Sequence, residues 1–267
     1  MLSAPGEGEC RVSASMYETL EYGQGVPLVM LHGMMGSPEN WRAIFSELPL
    51  TCRAVALRFP FFRDGRDLDS VPSVKSYAQG YLEAAGFERV VLCGNSLGGH
   101  VALDLALDMP DRAAGLVLTG SSGLFERTFG PVVTRPPREW VYDRIREIFY
   151  SESHVTEKML NNAVDVIAVR RNVRTLIQIA RSAKHDNVAE RLKHITCPTL
   201  LIWGRQDQIT PPDVAEEFHR CLPNSELVWL DKCGHAPMME HPRDFARMLG
   251  QWWNRHICPQ GTPLATE

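Results

Sequence analysis

Short apolar runs recur along the chain, and most are followed by a stretch of helical periodicity. Residues 27–31 (PLVML), 52–57 (CRAVAL), 88–93 (ERVVLC), 115–120 (GLVLTG), 199–203 (TLLIW) and 226–230 (ELVWL) read as strands, several apolar enough to be buried on both faces. Between them, 38–48, 74–85 and 97–109 read as helices; Val101, Leu105 and Met109 show the four-residue spacing. Ser37 before Pro38 marks one helix start, and Gly86 marks the end of the next helix. Strand and helix in alternation predict a mainly parallel sheet, with antiparallel edge strands at 11–22.

The alternation stops at 121. Through 186 there is no strand pattern, only helical segments at 138–150, 156–169 and 172–185. This predicts an α/β core formed by 10–120 and 187–257, with a helical cap inserted at 121–186. The stretch Gly120-Ser121-Ser122-Gly123-Leu124-Phe125 is the expected hinge, because glycine absorbs backbone rotation cheaply. The tails, 1–9 and 258–267, are rich in Pro, Gly, Thr and Glu and are expected to be disordered.

Composition narrows the partners. A chain of 267 residues with 44% hydrophobic content can bury a substantial core. The net charge of −4 leaves no basic footprint for nucleic acid. No apolar run approaches membrane-span length, and no secretory leader pattern precedes Tyr17. Seven cysteines, odd in number and without C-x-x-C spacing, read as reduced thiols. The expectation is a cytoplasmic protein acting on a small molecule, with no metal or cofactor and with the oligomeric state left open.

The chemistry concentrates at strand ends, where sites gather in a parallel sheet. Gly94-Asn95-Ser96-Leu97-Gly98 lies between a strand and a helix, a sharp turn that presents Ser96 above the helix N-terminus. A serine hydroxyl needs a base, and the base needs an orienting acid. His235 follows the last strand and Asp207 the one before it, although Asp213 and Asp231 are also close in sequence. Two N–H donors must meet the oxyanion: that of Leu97, after the nucleophile, and one from the loop His32-Gly33-Met34, expected from Met34. His32 is expected to hold that loop rather than react, and His100 to pack behind the nucleophile.

With HGMMGS, GNSLGG and GRQD…GH in this order, the chain resembles the α/β-hydrolase superfamily from about Tyr17 to Trp253. The resemblance implies two-step acyl transfer by Ser96, Asp207 and His235 with no cofactor, and activity that falls in acid as the histidine protonates. Pocket walls are expected from Phe59, Phe61, Leu124, Phe125 and Met238, with Phe62 and Met239 beside them, favouring an apolar or aromatic acyl group. An inward-facing arginine of the cap (135, 138, 144, 146, 170, 171, 174 or 181) would favour a carboxylate-bearing substrate. The leading expectation is a carboxylesterase. The alternatives are a carbon–carbon hydrolase of vinylogous diketones and a ligand receptor on the same fold. Two departures from the family pattern stand out. Arg58-Phe59-Pro60-Phe61-Phe62 replaces an aspartate and Pro-Gly turn, and Ala236 stands where carbon–carbon hydrolases often carry tryptophan.

Overall fold

The computed structural model describes residues 16–63, 68–125 and 136–259. Of the expected tails, all but Cys258 and Pro259 lie outside these residues, as do 11–15 of the expected edge strands, Arg135 and Cys10. Among the described residues seven strands form one sheet: β1 (Thr19–Gly23), β2 (Val26–Leu31), β3 (Cys52–Leu57), β4 (Val90–Asn95), β5 (Ala113–Thr119), β6 (Thr199–Gly204) and β7 (Ser225–Leu230). Their spatial order is β1-β3-β2-β4-β5-β6-β7. β1 runs antiparallel to β3, and every other pairing is parallel.

Alternation along the strands divides the core into two layers. Val29 and Leu31 face a cluster with Val74, Val101 and Phe218, from helices α1 (Val71–Ala84), α2 (Leu97–Asp108) and α6 (Pro212–Cys221). Leu28 and Met30 face the other side, packed with Trp41, Phe245, Trp252 and Trp253. α2 is central: every residue from Leu97 to Ala106 is buried. A helix buried on all sides is one enclosed by its neighbours.

The described part of 11–22 holds the antiparallel edge strand β1, paired with β3. Two expectations need correction. The segment Pro38–Glu47 is a 3₁₀ helix. Pro38, Trp41 and Ile44 are its buried residues at intervals of three, a spacing that a three-residue turn stacks on one side. Helix α1 begins at Val71, three residues earlier than its periodicity suggested, because Ser70 caps it and Pro72 occupies its first turn.

Between β5 and β6 the chain forms α3 (Arg138–Arg146), α4 (Glu157–Ala168) and α5 (Arg170–His185). α3 and α4 share a small cluster of their own, Val141, Leu160 and Ala163, backed by Trp140, Ile145 and Ile167, while the buried Ile179 of α5 joins the α1–α2 layer. The chain's departure and return are stitched together. Val188 N–H donates to Gly123 O at 2.8 Å, and Asn187 Nδ2 donates to Leu124 O at 3.0 Å. Gly120 (φ 51°) and Gly123 (φ 114°) both sit in the left-handed region at this neck.

Beneath the neck, Arg191 donates to Asp104 of α2 at 2.9 Å and to Asp186 at 2.7 Å. Asp104 is nearly inaccessible, and burial, with Asp186 nearby, pushes its carboxyl up to about 6 despite Arg191. Truncating Arg191 leaves that carboxylate buried without its cation. Arg191 is 43% exposed, so solvent already screens the pair. Arg191→Ala is therefore expected to cost only about 1–2 kcal/mol, below the range for a fully buried pair. An unchanged urea midpoint would show that the bridge contributes nothing to the neck.

Candidate active site

Ser96 sits between β4 and α2 with φ 55° and ψ −123°, outside the regions an L-residue ordinarily adopts. The turn around it is over-determined, which is how such strain persists. Ser96 N–H donates to Thr119 O, and Ser96 O accepts from Gly99, His100 and Ser122. Close packing also requires the flanking glycines. A Cβ on Gly94 would lie 2.2 Å from Gly98 O, and one on Gly98 would lie 2.0 Å from Leu31 O. Strand and helix touch where a side chain would stand, which is the reason for the G-x-S-x-G spacing.

Asp207 and His235, from the loops after β6 and β7, meet in a buried pair with His235 Nδ1 2.9 Å from Asp207 Oδ2. Asp207 is held by its own loop: Oδ1 accepts from Ile209 N–H at 2.8 Å and Thr210 N–H at 3.0 Å. The Thr210 hydroxyl donates to Oδ2 at 2.9 Å. An acceptor so engaged cannot rotate freely, so it fixes the imidazole that binds it. The other nearby acids point elsewhere. Asp231 is exposed and bonded to Gln206, while Asp213 accepts from Val214 N–H at the start of α6.

Two residues missed by the motif reading complete this region. Asn95 Nδ2 donates to Thr119 O and to His235 O, both at 3.0 Å, tying the end of β4 to the histidine loop. Thr210 was detectable as the third residue after Asp207, a spacing at which an Asx or Ser/Thr side chain closes a local turn. Asn95 carried no such local signal, because its partner is 140 residues away.

The loop after β2 approaches Ser96 closely: a Cβ on Gly33 would lie 3.2 Å from Ser96 Cβ. Met34 follows directly, half-buried. Leu97 opens α2, where the first N–H groups have no intrahelical acceptor. His32 anchors this loop as a neutral ring. Nδ1 lies 2.8 Å from Gly33 O, and Nε2 accepts Phe59 N–H at 3.0 Å. Burial lowers its pKa to about 4.

The expected pocket residues divide. Phe59 and Phe61 surround His32, with ring centroids 5.0 and 5.9 Å from it, and belong to the α1–α2 layer. Leu124 is half-buried against the same layer, and Phe125 is 47% exposed. Met238 is buried on the opposite face, among Trp41, Phe245 and Trp252. Sequence proximity to His235 had grouped it with residues that the sheet places on its other side. Arg138, Arg146, Arg170, Arg171, Arg174 and Arg181 are exposed. The half-buried Arg144 pairs with Glu147 at 2.7 Å over the Trp140 ring.

The six described cysteines are free thiols. Beside His235, burial pushes the Cys233 thiol upward, which disfavours a reactive thiolate. Among the described residues, one group could gather around a metal ion: His100, Asp104 and Asp186, with ligand atoms within 4.8 Å of one another. Arg191 already engages both carboxylates, and a cation there would face its guanidinium. No described helix is long and apolar enough to cross a membrane.

With the nucleophile turn and the Asp–His pair described, the comparison with known sequences gains a physical meaning. The model of the alpha/beta hydrolase family matches residues 28–248. The chain belongs to this family. As an α/β-hydrolase it is 30% identical to a 2-hydroxy-6-oxononadienedioate/2-hydroxy-6-oxononatrienedioate hydrolase of Paraburkholderia xenovorans, over 91% of both chains. It is 33% identical to the Paraburkholderia phymatum hydrolase of the same name, but there the match covers 64% of each. A solved α/β hydrolase from the sediment metagenome of the Mar Chica lagoon superposes with a TM-score of 0.75 at 32% identity, covering 91% of this chain and 97% of that one.

Proposed function

We propose that this α/β-hydrolase is a serine hydrolase that cleaves a carbon–carbon bond in vinylogous diketones of the 2-hydroxy-6-oxo-dienoate class. The observation that carries this reading is the 30% identity, over nine-tenths of the chain, to a hydrolase named for such a substrate. The carboxylesterase expected at first is thereby moved to second place.

Ser96 is the nucleophile and His235 its base, with Asp207 holding the imidazole tautomer and stabilising its positive form. Ser96 Oγ attacks the ketone carbonyl as His235 takes the proton. The oxyanion is received by the N–H groups of Met34 and Leu97, each worth on the order of 10²–10³ in rate. The carbon–carbon bond then breaks. Cleavage takes place in the keto tautomer, in which the carbon beside the ketone has taken up the enol proton. The electron pair passes through the alkene into the 2-oxo group, and the dienolate oxygen so formed takes the proton held by His235. Water hydrolyses the acyl-serine. Phe59 and Phe61, packed on His32, and the half-buried Leu124 remain the expected neighbours of the acyl group, and α3–α5 act as the cap over it. The protein works on this small molecule in the cytoplasm.

Ester hydrolysis stays as a second reading for one reason: Ala236, beside His235, stands where carbon–carbon hydrolases often carry tryptophan. The test is a parallel assay of 2-hydroxy-6-oxo-dienoates, with carboxylate and phenyl tails, against p-nitrophenyl esters. The expected result is a kcat/KM at least about tenfold higher on a dienoate, corresponding to 1.4 kcal/mol of transition-state preference. Higher kcat/KM on the esters reverses the order. Saturable binding without turnover on either class would mean a receptor.

A further inference from the structure

Glu240, the last residue of the short helix α7 (Pro237–Glu240), is a buried acid that the Ser96–Asp207–His235 chemistry leaves unused. Its Oε1 accepts Gly234 N–H at 2.7 Å, and its Oε2 accepts Tyr150 N–H, also at 2.7 Å. The Cys233 thiol lies 3.8 Å from Oε1. Gly234 immediately precedes His235, and Tyr150 lies in the turn that leaves α3. A second link runs beside the first: His235 N–H donates to Ile148 O at 2.7 Å. The two turns are in direct contact, since a Cβ on Gly234 would lie 2.6 Å from Ile148 O and 2.9 Å from Tyr150 N.

We propose that Glu240 is a positioning residue: by holding Gly234 and Tyr150 on its two oxygens, it makes the setting of His235 depend on the helical insertion. The inference rests on the assignment of His235 as the base. Two N–H donors converge on one side chain, and a carboxylate supplies an acceptor for each. Glutamine supplies one acceptor and opposes the other N–H with its own NH₂. The two turns would then be joined by the His235 N–H to Ile148 O bond without the carboxylate clamp, letting the imidazole shift while leaving the substrate's contacts in place. Misplacement on the order of 1 Å can cost about 10²-fold in rate.

The experiment compares wild type, Glu240→Gln and Ser96→Ala on the best dienoate or ester substrate. Glu240→Gln is expected to lower kcat by about 10- to 100-fold with KM within about threefold, at an unchanged far-UV circular dichroism spectrum. In ¹H NMR, the downfield proton of the His235–Asp207 bond should shift or broaden. Should Glu240→Gln fail to fold, Glu240→Asp, a carboxylate one methylene shorter that cannot span both turns, is read in the same way. Wild-type kcat with an unmoved downfield proton overturns the inference, as does a change confined to KM. Full activity in Ser96→Ala would instead overturn the catalytic assignment beneath it.

Discussion

Ser96→Ala is expected to lower kcat on the preferred substrate by about 10⁴- to 10⁶-fold, the scale on which a serine nucleophile is felt when its base and oxyanion donors are left in place. The loss should be chemical rather than structural. The interactions that fix this turn belong to the Ser96 backbone, which donates to Thr119 O and accepts from Gly99, His100 and Ser122. Alanine keeps all four and pays the same conformational penalty at φ 55°. The urea midpoint should therefore stay within about 0.5 kcal/mol of wild type, as for a substitution that breaks no packing or backbone bond. KM should change little, because the hydroxyl acts mainly in the transition state. Mass spectrometry of quenched reactions should find an acyl adduct on the wild type and none on the variant. If Ser96→Ala retains more than about a tenth of kcat, the nucleophile lies elsewhere.

This result would bear on how far the chain could be read without a structure. The sheet was legible because its strands are short apolar runs, and a parallel sheet buried on both faces leaves that mark in the sequence. Ser96, Asp207 and His235 stood out because each follows such a run. What stayed hidden depends on contacts between distant residues. Glu240 reads as an ordinary helix acid until α7 sets it between Gly234 and Tyr150, the latter 90 residues away. Asp104 and Arg191, 87 residues apart, look like solvated charges until the return of the chain from α5 brings them together. Met238 was misplaced for a related reason: nearness along the chain does not reveal which face of the sheet a residue joins. The start of α1 failed more simply: at Ser70 a cap outranked the apolar period.

Acid should weaken the fold through His32. Its folded-state pKa of about 4 lies below the ordinary 6.5, because burial penalises the imidazolium. Between these two values the unfolded chain binds the proton and the folded chain does not. The stabilisation is thus fully present above about pH 6.5 and is lost as the pH falls toward 4. For this one group the loss is about 3 kcal/mol, a large part of the stability of a typical domain. His100 acts in the same direction, since burial also lowers its pKa. Asp104 opposes them: its carboxyl is raised from 3.8 to about 6, so its contribution grows as the pH drops through that window. Two histidines against one aspartate leave acid the net destabiliser. Geometry says the same of His32. Its Nε2 accepts Phe59 N–H, and a protonated ring would present a donor to that donor. In His32→Gln the amide oxygen can still accept this N–H, but nothing titrates. Urea unfolding at pH 7.5, 6, 5 and 4.5 should show wild type losing stability faster than the variant, and the gap between the two curves closing by up to about 3 kcal/mol. Parallel curves would mean that His32 is protonated without cost and that the loop carrying Met34 is held by other contacts.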